Sequence, residues 1–447
     1  MTEAGTQPKP SDPKEPLSLA PPRGMRDLLP RETSLRDWAT RTILETYEQF
    51  GFSRIETPAL EHLQNLKGGE GGENLKLIYE VLKRGEKLDK VLAADVERDQ
   101  LADLGLRFDL TVPLVRYFCA NQNELLFPMK AIQIGSVWRA EAPQKGRFRQ
   151  FTQCDIDILG VKSDVAETEL LVASSQALLN LGFNDFRIRI NDRRILSAMV
   201  AHCGFTGRFD NVFIAIDKLD KIGVDGVEKD LIAHGHDAGA VAKLGELIRS
   251  SMGEDADLTK FATNLQKGGE GIAPELSSAI NNLAVIIDAV QSCSSGKYDI
   301  VFDPTLVRGM GYYTGPIFEI GMKGYSYSMG GGGRYDKMVE KFSGRDVPAC
   351  GFSIGFERII GVLMDQGAKP KDAKEKLALI FDPNRDKTAD VMKAADRLRQ
   401  KGFSVSAHPR KKDMTKQLDA FLQHDFAKFV AFKGDVENLD IKTLGSK

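Results

Sequence analysis

Long apolar runs are missing from this 447-residue sequence. Nowhere do the roughly 18 to 20 consecutive apolar residues of a membrane-spanning helix occur, and the opening MTEAGTQPKPSDPKEP lacks the apolar stretch of a secretory signal. Neither a membrane span nor a secreted precursor is expected, and residues 1–16 read as a disordered, Pro-rich tail. Cysteine is sparse: Cys119, Cys154, Cys203, Cys293 and Cys350 are scattered, odd in number and without a CxxC pair. That pattern suggests neither a disulfide framework nor a zinc site, so no metal site is expected and a reducing cytoplasm is the expected location. An excess of either charge is also lacking. With 61 Lys and Arg against 63 Asp and Glu, the net charge of −2 argues against a protein that coats nucleic acid indiscriminately, while leaving room for local basic surfaces. Two such surfaces exist: Lys145, Arg147 and Arg149 in PQKGRFRQF, and Arg410, Lys411, Lys412 and Lys416 in HPRKKDMTKQ. A short basic run by itself reads as a solvated face.

What is present is globular. A composition 42% hydrophobic and 28% charged, over this length, suits about two or three compact domains. Ser34 with Asp37 three residues later reads as a capped helix start, and Leu35, Ala39, Ile43, Tyr47 and Phe50 share one face, so a helix is predicted as far as Gly51. FSRIETPAL has strand character ending at Pro58, which fits a strand end or sheet edge. AIQIGSVWRAE and FTQCDIDILG flank the polar loop APQKGRFRQ and predict a hairpin of long strands. A helix follows over about 164–180, and residues 191–295 read as a mostly helical insertion with breaks such as KGGEGIAP. Strand signals return in YDIVFDP, GPIFEIGM and YSYSMGG, and GFSIGFERIIGVL passes from strand to helix. An antiparallel, interrupted sheet is expected. Beyond a charged linker at 369–375, residues 376–447 alternate strand and helix, predicting a small α/β domain with a parallel sheet. The expected organisation is α+β: a core at 17–190 and 296–368 split by the insertion, then the α/β domain.

Several ordered segments have a specific resemblance. PPRGMRDLLP, the helix and strand ending at Pro58, LRFDLTVPLVRY, SVWRAEAPQKGRFRQF, LVRGMGYYTGPIFE, MGGGGRYDKMV and GFSIGFERI resemble successive motifs of the histidyl-tRNA synthetase family, whose members are class II aminoacyl-tRNA synthetases. One such match would be weak; the ordered set covers nearly the whole chain. The resemblance implies a class II antiparallel-sheet catalytic core and a C-terminal anticodon-binding domain. It further implies ATP-dependent activation of L-histidine, with Mg²⁺ accompanying ATP, transfer to tRNA(His), and a homodimer.

Chemistry explains the residue types. Attack of a carboxylate on the α-phosphate of ATP builds charge on phosphate oxygens, and Arg meets phosphate with a planar, bidentate fork. By the resemblance, Arg139 holds the α-phosphate, Arg358 the terminal phosphates, and Arg308 stabilises the transition state from the histidine side. Phe151 and Glu141 resemble the family's adenine-stacking Phe and adenine-edge Glu. Asp109, Thr111 and Gln153 are implied for the histidine ammonium, and Asp157 and Tyr313 for the imidazole, with Tyr312 and Gly330 to Gly333 shaping the pocket. Gln153 and Asp157, four apart on an extended strand, share a face. Buried acceptors suit the task, because a site built on hydrogen bonds rejects analogues that lack them. None of the six histidines falls in a matched catalytic segment. Gln144, Lys145, Arg147 and Arg149 resemble the loop that meets the tRNA acceptor end, and the run at 410–416 would face the RNA from the anticodon-binding domain.

Departures from the pattern are Gly311 where an acidic residue is frequent, Ala142 where Arg is frequent, and an ending IKTLGSK where a last strand or helix is usual. The regulatory subunit of ATP phosphoribosyltransferase resembles the same core. Retention of Arg139, Glu141, Arg308 and Arg358, together with the α/β tail, favours the catalytic reading over it.

Overall fold

The computed structural model describes residues 18–69, 73–93, 100–142, 148–207, 209–251, 257–266, 274–308, 312–371 and 373–445. The tail at 1–16, the loop residues Gln144, Lys145 and Arg147, and Gly311 lie outside them. The chain divides into two compact units, residues 1–368 and 369–447.

Strands follow the chain as β1 (Ser53–Arg54), β2 (Leu60–His62), β3 (Tyr79–Leu82), β4 (Ala102–Leu106), β5 (Met129–Trp138), β6 (Gln150–Leu159), β7 (Phe186–Asp192), β8 (Tyr298–Phe302), β9 (Pro316–Met322), β10 (Ser328–Arg334) and β11 (Ala349–Ile354) in the first unit. An eight-stranded sheet has the order β1-β5-β6-β11-β10-β9-β7-β8, and β2-β4-β3 form a separate small sheet. The expected antiparallel core is present from β5 through β7, but each edge pair, β1 with β5 and β7 with β8, is parallel. The helical insertion explains the second: it returns the chain from the end of β7 to the start of β8, which demands a crossover rather than a hairpin.

Alternation along β6 decides which face does what. Cys154, Ile156 and Ile158 enter the main core together with Leu35, Ile43 and Tyr47 of the helix Pro30–Gln49 and Leu170 and Leu178 of the helix Val165–Leu181. Gln153, Asp155 and Asp157 therefore point to the other face, away from these helices. The insertion helices Arg193–His202, Asp210–Ile216, Leu219–Ala233, Ala238–Ser251, Leu258–Gln266 and Pro274–Ser294 continue the same core through Leu196, Val212, Val227, Leu244 and Ile286.

Several expectations need correction. The first helix starts at Pro30 rather than Ser34, without a side-chain cap; a proline at the first helical position has its φ already set and loses no hydrogen bond. Its apolar face is covered by the chain's own core, with Leu35, Ala39, Ile43 and Tyr47 each at most 1% exposed, so that face gives no argument for a dimer. FSRIETPAL yields only the two-residue β1 and, at Leu60, the first residue of β2, with Pro58 in the coil between them. β10 starts at Ser328 and runs through all four glycines, later than YSYSMGG suggested.

In the second unit, β12 (Lys376–Phe381), β13 (Ser404–Pro409), β14 (Phe426–Ala431) and β15 (Lys442–Thr443) form a sheet ordered β13-β12-β14-β15. The first three are parallel, joined by the helices Thr388–Gln400 and Met414–Gln423, and β15 adds a short antiparallel strand inside the ending that looked curtailed. The last helix starts at Met414, capped by Asp413, so Arg410, Lys411 and Lys412 sit in the exposed loop before it. No described helix is long and apolar enough to cross a membrane.

Candidate active site

A cavity of about 480 Å³ opens on the polar face of β6. Asp109, Thr111, Arg139, Glu141, Phe151, Gln153, Asp157, Arg308, Tyr312, Tyr313 and Arg358 all line it, although they are spread over some 250 positions of sequence. Its size suits a small-molecule site, and its lining mixes cations, carboxylates and aromatic rings.

Arg139 follows β5 and lies over Phe151 of β6, its Cζ 5.0 Å from the ring centroid, while its Nε donates to Phe108 O at 3.1 Å. Arg358, in the first turn of the helix Phe356–Asp365, donates to Ser328 O at 2.6 Å and to Ser328 Oγ at 3.1 Å. These bonds fix two cations, one just past β5 and one on the helix, along the same cavity. Arg308 donates to Glu319 of β9, which also receives Arg189 of β7. Burial alone would raise the Glu319 pKa, but the two guanidiniums hold it below its ordinary value, so Arg308 is anchored by an ionised carboxylate.

Glycine in β10 and β11 gives the floor its depth. A Cβ on Gly351 would stand 2.0 Å from Asp157 Oδ1, and one on Gly331 would stand 2.5 Å from Arg308 Cζ. The side chains of Asp157, on the neighbouring β6, and of Arg308, in the coil after β8, therefore lie against bare backbone. Asp157 is buried and receives the Tyr335 hydroxyl; burial, against that hydrogen bond and with Asp109 adding to it, pushes its pKa up to about 7. The rings of Tyr312 and Tyr313 pack with centroids 4.3 Å apart at a tilt of 49°, and burial raises the Tyr313 pKa.

The model of the histidyl-tRNA synthetase family matches residues 24–359. Histidine–tRNA ligase of Leifsonia xyli is 42% identical over 442 residues, covering 95% of this chain and 98% of that one. A probable histidine–tRNA ligase of Tropheryma whipplei is 41% identical over 93% of this chain and 96% of its own length.

This chain belongs to the histidyl-tRNA synthetase family.

A solved histidyl-tRNA synthetase from Nostoc superposes with a TM-score of 0.76 at 26% identity, over 96% of this chain and 95% of that one. An ATP phosphoribosyltransferase regulatory subunit/histidyl-tRNA synthetase from Bacillus halodurans gives 0.71 at 20% identity, over 91% and 97%, a likeness of fold alone. The mixed α+β architecture is thus that of the class II synthetase fold.

Within this synthetase family member, the cavity also takes residues that the motifs did not single out. Asp155 stands between Gln153 and Asp157; Asp217 arrives from the insertion, just past the helix Asp210–Ile216; Tyr335 closes on Asp157. Glu357 lines the wall and is gripped by Arg36, at 2.7 and 2.8 Å, and by the Thr152 N–H at 3.0 Å. Burial would raise its pKa, but these donors hold it below the ordinary value. For Asp155 the signal was in the sequence: period-two alternation already placed it beside Gln153 and Asp157. No local pattern pointed to Asp217. Arg149 does not line the cavity; its Nε donates to Glu141 O at 3.0 Å and its Nη1 to Arg23 O at 3.4 Å.

Proposed function

We propose that this chain is a histidine–tRNA ligase that activates L-histidine with ATP and transfers it to the 3′ end of tRNA(His) in protein synthesis. The observation that carries the reading is the gathering of Arg139, Arg308 and Arg358 with the histidine-reading set Asp109, Thr111, Gln153, Asp157 and Tyr313 around one cavity. In the first step a histidine carboxylate oxygen attacks the α-phosphorus and pyrophosphate leaves with the bond's electron pair. In the second, a terminal ribose hydroxyl of the tRNA attacks the histidyl carbonyl and AMP leaves.

The residues divide by charge. Arg139 meets the α-phosphate and Arg358 the outer phosphates, with Mg²⁺ arriving on the triphosphate. Phe151 stacks on the adenine and Glu141 reads its edge. Arg308, steered by Glu319, approaches the histidine carboxylate and the α-phosphate as charge develops there. Asp109, Thr111 and Gln153 take the ammonium. Asp157, fixed by Tyr335, and Tyr313 bracket the imidazole, with Tyr312 behind them.

The acceptor end meets the loop carrying Gln144, Lys145 and Arg147, based on Arg149, and residues 376–447 bind the anticodon through the exposed cations Arg410, Lys411, Lys412 and Lys416. The enzyme acts as a homodimer in the cytoplasm. Large exposed apolar side chains at Leu126 and Phe127 support a covered surface, and the five cysteines are free thiols. Light scattering distinguishes one chain from two. Charging of a tRNA pool with labelled histidine tests the activity: histidyl-tRNA is expected, and its absence from a folded, ATP-binding protein would turn the reading towards a regulatory paralogue.

A further inference from the structure

Neither phosphate binding nor imidazole recognition accounts for Asp155. Its carboxyl is 4% exposed, lines the cavity and sits on the face of β6 shared by Gln153 and Asp157. Gln153 Nε2 approaches its Oδ2 at only 3.5 Å, and the Ser353 hydroxyl also hydrogen-bonds to the carboxyl. Its Oδ1 has no hydrogen-bond partner among the described residues, and neither does the buried Oε1 of Gln153. Buried carboxylates kept for stability are normally satisfied by donors on every side, because an orphaned buried acceptor is costly. Burial and the neighbouring charge of Asp157 push the Asp155 pKa up to about 8, against the pull of Ser353, Arg139 and Arg107. A buried carboxyl so placed, with one oxygen unpartnered among the described residues, suits a cationic donor that would favour its ionised form.

The chemistry of that donor is restricted. Two acceptors, two residues apart on one strand face, ask for a group with several N–H bonds and positive charge. An ammonium has three donors and no acceptor, a neutral imidazole has a single N–H, and phosphates and carboxylates have none. Asp109 is partly committed elsewhere, since its Oδ1 accepts the Val112 N–H at 3.2 Å.

We propose that Asp155 is a further binding ligand of the amino acid's ammonium, its Oδ1 and the Oε1 of Gln153 each accepting one N–H and leaving the third to Asp109 and Thr111. This assignment rests on the ligase reading above. It makes recognition of the ammonium depend on a carboxylate beyond the motif set, and it means that a histidine analogue without that ammonium gains nothing from Asp155.

Calorimetric binding of three probes to wild type and Asp155→Asn tests the assignment. Histidine carries all three groups, histidinol keeps ammonium and imidazole without the carboxylate, and 3-(imidazol-4-yl)propionate keeps imidazole and carboxylate without the ammonium. Loss of one charged hydrogen bond predicts about 10- to 100-fold weaker binding of histidine and histidinol. Binding of the propionate should be unchanged, KM for ATP should stay within about twofold, and the thermal midpoint should not fall. Equal weakening of all three probes with a lowered midpoint would show a structural carboxylate and overturn the proposal, as would unchanged histidinol affinity. Asp155→Ser gives the same comparison if the Asn variant does not fold. Wild type that binds histidinol through Asp155 yet exchanges no pyrophosphate with histidine would overturn the ligase reading and leave this assignment standing.

Discussion

Arg308 occupies the volume that any side chain at Gly331 would need: a Cβ there would stand 2.5 Å from its Cζ and 2.6 Å from Nη1. The proposed transition-state cation is therefore seated on bare backbone, with Glu319 at its far side. Gly331→Ala should move the guanidinium and also press on Phe318 O, 2.7 Å away, lowering both the thermal midpoint and the rate of adenylate formation, the latter by at least about tenfold. Adding Arg308→Ala to that background should cost little more in rate, a coupling that a double-mutant cycle measures. Fully additive losses would separate the two residues.

Arg308→Ala alone should lower the rate of histidyl-adenylate formation by about two to four powers of ten, the scale for removing one charged stabiliser of a transition state. ATP affinity should change far less, because Arg139 and Arg358 remain held by Phe108 and Ser328. Rapid-quench measurement on a variant shown by melting to be folded reads both quantities. A near wild-type rate would remove Arg308 from the chemistry.

Stability should depend on pH through Asp155. Its pKa is about 8 in the fold against an ordinary 3.8, so between those values the folded chain keeps a proton that the unfolded chain has released. That contribution is complete below about pH 4 and is lost as pH rises through about 8. Asp155→Asn should flatten this part of the profile, gaining stability relative to wild type more at pH 8 than at pH 4. Melts across that range decide; a variant that loses most at pH 8 would mean that the carboxylate is stabilised by the fold.

Removing the chain from Lys371 onward should spare pyrophosphate exchange and depress aminoacylation, because every proposed adenylation residue lies in the unit ending at residue 368. Equal loss of both activities would show that the second unit supports the catalytic fold itself.

Legibility followed the physics of each segment. The β5–β6 hairpin was plain because ten-residue strands alternate core and cavity residues, and the α/β order of 376–447 was plain because its short apolar strands are cleanly punctuated. The small sheet was not read, since β2, β3 and β4 have only three to five residues and carry Glu61, Glu80 and Asp103 among their apolar positions. Gly330 to Gly333 hid the extent of β10: glycine has poor strand propensity, and its reason for being there, the side chains of Arg308 and Tyr313 above it, comes from another segment. Asp155 was within reach of the alternation rule but outside the motif set. Asp217 reaches the cavity only through contacts between distant segments, and the Arg308–Glu319 pair, both within LVRGMGYYTGPIFE, forms only because the chain turns back along β9; no local pattern encodes either.

Pyrophosphate exchange with ATP, run in parallel over each of the standard amino acids, tests the central claim most directly. The account predicts exchange that depends on histidine and on no other amino acid. Exchange with a different amino acid, or none at all from folded protein that binds ATP, would contradict it.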